Sequence, residues 1–295
     1  LQLIAMEWIP LYVLYLLKTY NEGSMRNAVW AGIFLILTTM CSWYYLIYCL
    51  LFTIIFVVHR LLANRKKVST RGFLQRLGLT LLVSYICMAP LLGAMTYTKL
   101  SGKFAGQHDP ETFSADLTSF FIPSGVSTWG QRWFENVWSK WSGNTPENSN
   151  YLGYIVLTLS IYAVVRIPAC RFWAIAGTIF WLLALGPYLR VMGNQISLPL
   201  PYLLLHNYVP FFSFMGVPER FDIMLKFCMA IMGGFGVLKL FHTYSPTSVN
   251  PMTNGINMVI KPAQENKGNR ETPHRLHIVV AVIGILICIE YLALP

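Results

Sequence analysis

Runs of apolar residues long enough to cross a lipid bilayer constrain this chain more than any other feature of its sequence. A transmembrane helix needs about 20 predominantly apolar residues, with a range of about 17 to 25. The apolar segments of about this length are 1–17, 28–58, 77–95, 151–165, 172–189, 221–240 and 277–294. Only 12% of the 295 residues are charged, which is about half the share in an ordinary soluble domain. The sequence therefore predicts a multi-pass integral membrane protein.

The segment 28–58 is too long for one simple span. As a single helix it would extend for about 46 Å, against a hydrocarbon core about 30 Å thick. It is either one strongly tilted helix or two helices that break near the stretch Cys41-Ser42-Trp43-Tyr44-Tyr45. The predicted fold is therefore all-α, a polytopic bundle of about seven to eight membrane segments with short interfacial or re-entrant helices in its outer loops. Residues 1–295 are expected to form a single transmembrane domain, and the start at Leu1, inside an apolar segment, predicts a fragment that lacks an N-terminal part.

The positions of the basic residues predict which loops lie inside the cell. Two helices in 28–58 would put fifteen of the 22 basic residues on one side, and that side is taken as cytoplasmic. One long helix would move Lys18 and Arg26 to the other side, so the helical pair is favoured. This topology predicts that 241–276 is a cytoplasmic loop and that 96–150 and 191–221 are extracytoplasmic. The net charge of +10 then indicates anchoring to the cell inner (plasma) membrane, and binding of nucleic acid is not expected.

The outer loop 96–150 carries a short stretch, SADLTSFFIPSG (114–125), that combines one acid with a Phe-Phe-Ile-Pro run. Asp116 either caps a turn or helix or makes a polar contact with a substrate at the membrane surface. The following stretch, WGQRWFENVWSKW, spreads its indole rings over half of a helical wheel. This pattern predicts an interfacial helix on the outer leaflet. As an alternative, Trp129 and Trp133 would stack on a sugar or line a lipid groove.

The segment 191–221 is rich in proline yet too apolar for a free aqueous loop. Its prolines prevent one continuous helix, so we predict a short interfacial or re-entrant element that ends where the next helix begins. Glu219 at that helix start is favoured by the helix dipole. Arg220 either pairs with a neighbouring acid or holds a phosphate. Asp222 and Lys226 have the i, i+4 spacing of an ion pair on one helix face.

Charged residues inside predicted helices often mark functional sites, because a charge at membrane depth is expensive. Glu7 is the best candidate, since Pro10 permits a kink that would expose its carboxylate to an outer cavity. Glu290 lies close to the outer end of its helix, where solvent can reach it. The cysteines and histidines have no metal-ligand spacing, so no metal site is predicted and the cofactor is unknown. The glycines at 233, 234 and 236 are typical of close helix packing.

Several short motifs occur in an order that resembles a known group of proteins. They are EWIPLY at Glu7, SWYY (42–45), SADLTSFFIPS (114–124), YLGY (151–154), ALGP (184–187) and LPLPYLLL…VPFFSFMGVPERF (198–221). In this order they resemble large bacterial multi-pass membrane proteins related to GT-C type glycosyltransferases, the class that includes protein mannosyltransferases and aminoarabinose transferases. The resemblance implies transfer of a sugar from a polyprenyl-phosphate carrier on the extracytoplasmic face. It places the main catalytic carboxylate of the class in a loop upstream of Leu1.

Such a donor needs an apolar groove, a cation for its phosphate and carboxylates that face outward. We therefore predict Asp116 and Glu7 as catalytic carboxylates. The predicted substrate-binding residues are Arg220, Glu219, Arg190, Trp129 and Trp133. The expected partners are membrane lipid and a polyprenyl-phosphate-linked sugar donor. A transporter or flippase for a lipid-linked or polar substrate, and a non-catalytic membrane assembly protein, remain the alternatives.

Overall fold

The computed structural model describes residues 6–62, 70–101, 109–123, 125–141, 149–209, 212, 215–244 and 274–291. Within these ranges the chain is mainly α-helical and contains one short β-hairpin. It divides into two compact units, the first ending at residue 106 and the second beginning at residue 107. The prediction of an all-α protein is therefore confirmed, and the single transmembrane domain stays a prediction.

Three helices among the described residues are long and apolar enough to cross a membrane. They are Trp43–Leu62, Arg71–Leu91 and Pro218–Leu240, with 20, 21 and 23 residues. Shorter apolar helices cover Met25–Cys41, Tyr154–Arg166, Cys170–Ala184 and Val280–Glu290. The protein thus has helices suited to a membrane, whereas the predicted number of seven to eight membrane segments stays a prediction.

In the described residues, the first unit contains four helices. They are α1 (Trp8–Glu22), α2 (Met25–Cys41), α3 (Trp43–Leu62) and α4 (Thr70–Leu100). Gly23 ends α1 with a left-handed backbone (φ 67°), and the chain reverses there because glycine adopts this conformation without strain. The ring of Trp8 stacks on that of Phe34, and Tyr15 lies against Trp30. These contacts show that α1 and α2 are antiparallel.

Helix α3 runs parallel to α1. The hydroxyl groups of Tyr12 and Thr53 are 2.6 Å apart, and the ring of Tyr20 meets that of Phe56 edge-on at 5.4 Å. Between α2 and α3 only Ser42 is outside a helix, with extended backbone angles (φ −163°, ψ 135°). The predicted pair of helices in 28–58 is therefore confirmed, and the chain reverses within the predicted break.

Helix α4 packs along α2 through small and hydroxyl-bearing side chains. The Thr80 hydroxyl donates to the carbonyl of Ala28 at 2.9 Å, and the Ser84 hydroxyl donates to that of Gly32 at 3.2 Å. A Cβ atom at Gly32 would lie only 3.1 Å from the Thr80 carbonyl oxygen. Small residues let helix backbones approach closely, which is how helices associate where lipid removes the hydrophobic driving force.

The second unit combines long helices with a layer of short elements. Its described elements are α5 (Thr128–Trp133), α6 (Glu135–Trp138), α7 (Tyr154–Arg166), α8 (Cys170–Ala184), β1 (Tyr188–Val191), β2 (Asn194–Pro199), α9 (Pro201–Tyr208), α10 (Asp222–Tyr244) and α11 (His274–Glu290), with 3₁₀ turns at Leu117–Phe120 and Pro218–Phe221. Helix α10 packs on both α7 and α8. The Ser160 hydroxyl of α7 donates to the carbonyl of Met229 at 3.1 Å, and Trp173 of α8 meets Phe227 edge-on.

The short elements cover one end of α7, α8 and α10. The amide of Ala115 donates to the carbonyl of Ala184 at the end of α8, and that of Glu219 donates to the carbonyl of Phe113. The amide of Leu152, just before α7, donates to the carbonyl of Phe120. We call the residues 109–141, 188–208 and 215–221 the outer layer, because they lie at the end that sequence analysis predicts to be extracytoplasmic.

Two parts of the outer layer differ from the sequence-based predictions. In the predicted apolar segment 172–189 the helix ends at Ala184, because Gly186 (φ 78°) and a proline follow. The last residues of the segment belong to strand β1. The hairpin of β1 and β2 was not predicted. The predicted single helix of the tryptophan-rich stretch was wrong, since the backbone of Phe134 (φ −126°, ψ 17°) separates the short helices α5 and α6.

Close approach of α7 and α10 should make one glycine indispensable. A Cβ atom at Gly236 would lie 2.5 Å from the Leu159 carbonyl oxygen, whereas a Cβ atom at Gly234 meets nothing within 4 Å. We expect Gly236→Ala to lower the free energy of unfolding by about 1 to 3 kcal/mol, because the overpacked helices must separate. Thermal unfolding of the purified protein in detergent measures this effect. Gly234→Ala is the matched control, and equal melting temperatures for the two variants would contradict the prediction.

Candidate functional site

The carboxylate of Asp116 is buried and receives hydrogen bonds from two separate segments. The side chain is 1% exposed. Its Oδ1 accepts from the Thr118 amide at 2.8 Å, the Thr118 hydroxyl at 2.6 Å and the Met192 amide at 3.1 Å. Its Oδ2 accepts from the Gly193 amide at 2.7 Å. Asp116 therefore caps the 3₁₀ turn Leu117–Phe120 and also binds the turn of the hairpin.

The hairpin turn has the backbone that this contact requires. Met192 (φ 52°) and Gly193 (φ 81°) both have left-handed angles, as in the two-residue turns that suit the twist of paired strands. Consecutive amides in such a turn point to one side and form a concave anion site. A Cβ atom at Gly193 would collide with the carbonyl oxygen of Lys140. Glycine is therefore needed at this position for its conformation and for the close approach of another segment.

A buried polar network connects Asp116 with Glu219. The Ser119 hydroxyl donates to the backbone carbonyl of Asp116 at 2.7 Å. The Asn150 side-chain amide donates to the Ser119 hydroxyl at 3.1 Å and to the Glu219 carboxylate at 2.7 Å. Asn150 and Glu219 are 1% and 2% exposed. The structure thus brings together two of the predicted site residues through a chain of side chains that join the 3₁₀ turn to the start of α10.

The start of α10 carries the ion pair that its spacing predicts. The Lys226 ammonium lies 2.6 Å from the Asp222 carboxylate, which confirms the predicted pairing. It also donates to the carbonyl of Ser149 at 3.0 Å. Arg220 is half-buried in the 3₁₀ turn just before α10, and its predicted role in holding a phosphate stays a prediction.

Arg190 is a half-buried residue of strand β1 that contacts an exposed group. Its guanidinium donates to the Gln195 side chain at 3.1 Å. The pKa of Asp109 is lowered, first because the Thr112 hydroxyl donates to it at 2.7 Å. Burial opposes this effect, and backbone amides of the same turn and then the charge of Arg190 lower the pKa further. Arg190 thus belongs to the hydrated edge of the outer layer.

The remaining predicted site residues make other contacts and do not belong to this network. Glu7 is exposed directly before α1, in the first unit. The Trp129 indole donates to the carbonyl of Ile289 at 3.2 Å, and Trp133 is 69% exposed. Trp129 therefore binds the end of α11, and the Trp133 ring is free to meet solvent or lipid. Their roles in sugar binding, and that of Glu7 in catalysis, stay predictions.

An apolar groove of about 450 Å³ lies between α7, α10 and α11. Its lining residues are Leu152, Val156, Leu159, Lys226, Met229, Ala230, Gly233, Gly234, Val237, Ile287 and Tyr291. From Lys226 to Val237 it follows α10 for about 16 Å, at a rise of about 1.5 Å per residue. Its volume is within the range of about 300 to 1,000 Å³ that is usual for small-molecule sites. Apart from the Lys226 ammonium and the Tyr291 hydroxyl, both at the outer-layer end, its side chains are apolar.

The half-buried Glu290 carboxylate forms a second acceptor site at this end. It accepts from the Tyr151 hydroxyl at 2.7 Å and from the amides of Tyr154 and Ile155 at 2.5 and 3.2 Å. These amides belong to the first turn of α7, whose N-cap residue is Gly153 and has no side chain of its own. Burial and, after it, the contact with Glu290 raise the pKa of Tyr151. Glu290 thus caps α7 from another helix.

Sequence analysis gave no substrate role to Lys226 and no structural role to Glu290. The groove could have been suspected from two adjacent glycines about two turns after a lysine on an apolar helix. The cap could not, because Glu290 and Tyr154 are 136 residues apart. Among the described residues, no group of three His, Cys, Asp or Glu side chains is placed to hold a metal ion.

The burial of Asp116 predicts a large effect on stability. Asp116→Ala would leave the amides of Thr118, Met192 and Gly193 without their acceptor, and we expect a loss of about 2 to 4 kcal/mol in the free energy of unfolding. Asp116→Asn keeps one oxygen acceptor and should have a smaller effect. Thermal unfolding in detergent measures both. The exposed Asp109→Ala is the control, and an unfolding temperature for Asp116→Ala equal to that of this control would refute the structural role.

Comparison with known protein families places most of this chain in one of them. Residues 2–249 match a family described as a domain of unknown function, DUF6311. Comparison with curated proteins and with solved structures gave no match. The match covers both the four helices of the first unit and most of the second, including the outer layer and α10. The chain therefore belongs to the DUF6311 family.

Proposed function

We propose that this protein is a multi-pass protein of the cell inner (plasma) membrane that binds a polyprenyl-phosphate-linked sugar and transfers the sugar on the extracytoplasmic face. The groove between α7, α10 and α11 carries the proposal. It offers an apolar channel along a helix that is long enough to cross a membrane, and it has a cation at one end only. The resemblance to GT-C type glycosyltransferases supports the same class of donor.

The groove fits the two chemically different parts of such a donor. A polyprenyl chain is apolar and gains from contact with the side chains of Val156, Leu159 and Met229. The Lys226 ammonium has three hydrogen-bond donors, and Asp222 and Ser149 accept two of them. A phosphate at the outer end of the groove would take the third and add a charge-assisted bond.

The outer layer would hold the sugar next to this phosphate. The exposed carboxylates Asp109 and Glu111 and the exposed ring of Trp133 belong to it, and carboxylates can serve as general bases. The Asp116 carboxylate oxygens accept hydrogen bonds from the hairpin turn and from Thr118. These contacts favour a positioning role for Asp116 in the proposed reaction. Its predicted catalytic role, and that of Glu7, would be tested by the same transfer assay.

Filling the groove should weaken donor binding without unfolding the protein. At Gly234 a Cβ atom meets nothing within 4 Å, so Gly234→Leu places a side chain in open groove space. We expect its affinity for polyprenyl phosphate to fall by at least about tenfold, or about 1.4 kcal/mol, as measured by native mass spectrometry in nanodiscs. Gly284→Leu on α11, where a Cβ atom also meets nothing and which does not line the groove, is the matched control. Equal affinities for the two variants would exclude the groove as the donor site.

The phosphate contact has its own test. Lys226→Gln should weaken the binding of polyprenyl phosphate by about tenfold and leave that of uncharged polyprenol unchanged. Arg132→Gln, which removes an exposed cation from α5, is the control. A parallel loss for the alcohol would show that Lys226 acts on the groove's shape and not on the phosphate.

Sugar transfer distinguishes the enzyme from the alternatives. The protein in liposomes would be given labelled polyprenyl-phosphate sugars together with a membrane extract that supplies hydroxyl-bearing acceptors. An enzyme breaks the bond between the sugar and the phosphate, forms a bond from the sugar to the acceptor oxygen and leaves polyprenyl phosphate. Movement of the intact donor between leaflets would instead support a transporter or flippase. Donor binding with neither outcome would support a non-catalytic membrane assembly protein.

A further inference from the structure

Helix α11 forms the third wall of the groove. Val156 and Leu159 of α7 line one side and α10 forms the floor, while Ile287 and Tyr291 close the remaining side. Without these two side chains the groove would be bounded by α7 and α10 alone and open on its third side. The position of α11 therefore decides whether a chain in the groove is enclosed.

The outer end of α11 is fixed by polar contacts. The Glu290 carboxylate accepts three hydrogen bonds from Tyr151, Tyr154 and Ile155. The Tyr291 hydroxyl donates to the carbonyl of Leu152 at 2.6 Å, beside the Trp129 contact with Ile289. We call the three bonds to Glu290 the Glu290 contact. It is the strongest of these polar contacts, since hydrogen bonds to a charged group are about twice as strong as neutral ones.

The rest of α11 is packed less closely in the described part of the chain. Its exposed apolar side chains are Ile278 (60%), Val282 (46%), Ile285 (58%) and Leu286 (45%). In a bilayer such side chains are as well solvated by lipid as by protein, so burial of apolar surface does not hold a helix in place. The position of α11 is therefore fixed mainly by the Glu290 contact.

We infer that Glu290 is a positioning residue that holds α11 against the start of α7 and thereby controls access of a lipid chain to the groove from the side. This rests on the proposed function only in naming a polyprenyl phosphate as the occupant. When the contact opens, the outer end of α11 moves away from Leu152, and the groove opens to the surrounding lipid. When it forms, Tyr291 and Ile287 enclose the chain.

A purely structural cap would behave differently. If Glu290 served only to complete α7, its loss would lower stability and leave the rates of lipid binding and release unchanged in the folded protein. If it holds the groove wall, both rates should rise together. The rates of lipid binding and release therefore distinguish the two roles, whereas the free energy of unfolding does not.

The position of α11 can be measured by a spin-label distance. Cys288 is exposed beside Glu290, and Ile161 of α7 is 57% exposed, so Cys288 and Ile161→Cys can carry the labels. Cys41 and the exposed Cys87 are replaced by serine. We expect one distance in the parent protein and a second, longer distance in Glu290→Ala. Glu135→Ala, the loss of an exposed acid on α6, is the control and should keep the single distance.

Binding kinetics complete the test. With a fluorescent polyprenyl phosphate in nanodiscs, Glu290→Ala should bind and release the lipid about tenfold faster than the parent protein. Glu290→Gln and Tyr151→Phe, which keep part of the contact, should give intermediate rates and serve if Glu290→Ala does not fold. An unchanged distance distribution, or rates equal to those of Glu135→Ala, would overturn the inference. If no form binds the lipid, the proposed function fails, and the distances alone decide the role of Glu290.

Discussion

The outer layer depends on one carboxylate that is removed from solvent. Asp116 joins the 3₁₀ turn, the hairpin turn and, through Ser119 and Asn150, the start of α10. A buried ion is tolerated only when other groups satisfy it, and here three backbone amides and a hydroxyl do so. The elements that cover the helix ends are short, and none of them would be stable alone. The Asp116 carboxylate is their common hydrogen-bond acceptor, and this explains how the short elements keep one arrangement.

Glu290 likewise accepts hydrogen bonds from backbone amides, at the start of α7. The first amides of a helix have no partner within it, and α7 begins after a glycine that offers no side chain. An acid from α11 supplies the acceptor and also benefits from the positive end of the helix dipole. Asp116 and Glu290 thus both accept hydrogen bonds from backbone amides at the start of another element or in a turn. The groove ends near the Glu290 contact, and the neighbouring Tyr291 lines it.

The sequence predicted the features that depend on local composition. Apolar run length and the distribution of lysine and arginine were enough to place two helices in 28–58, and the i, i+4 spacing was enough to pair Asp222 with Lys226. The hairpin was missed because its turn, Met192-Gly193, lacks the usual Asn-Gly signal and its strands are short. The tryptophan-rich stretch has helical periodicity but breaks at Phe134, where the Trp138 indole donates to the carbonyl of Gly130. The groove and the Glu290 contact join segments distant in sequence, which a pattern in one chain does not reveal.

The distance along the chain between Glu290 and the helix that it caps has a consequence for biosynthesis. Chains fold from the N-terminus as they are made, and α7 is complete long before α11 leaves the ribosome. During that interval the amides of Tyr154 and Ile155 must rely on water or on lipid head groups. The groove therefore acquires its third wall only when the last described helix has been made, so it stays open on that side while the outer layer is synthesised.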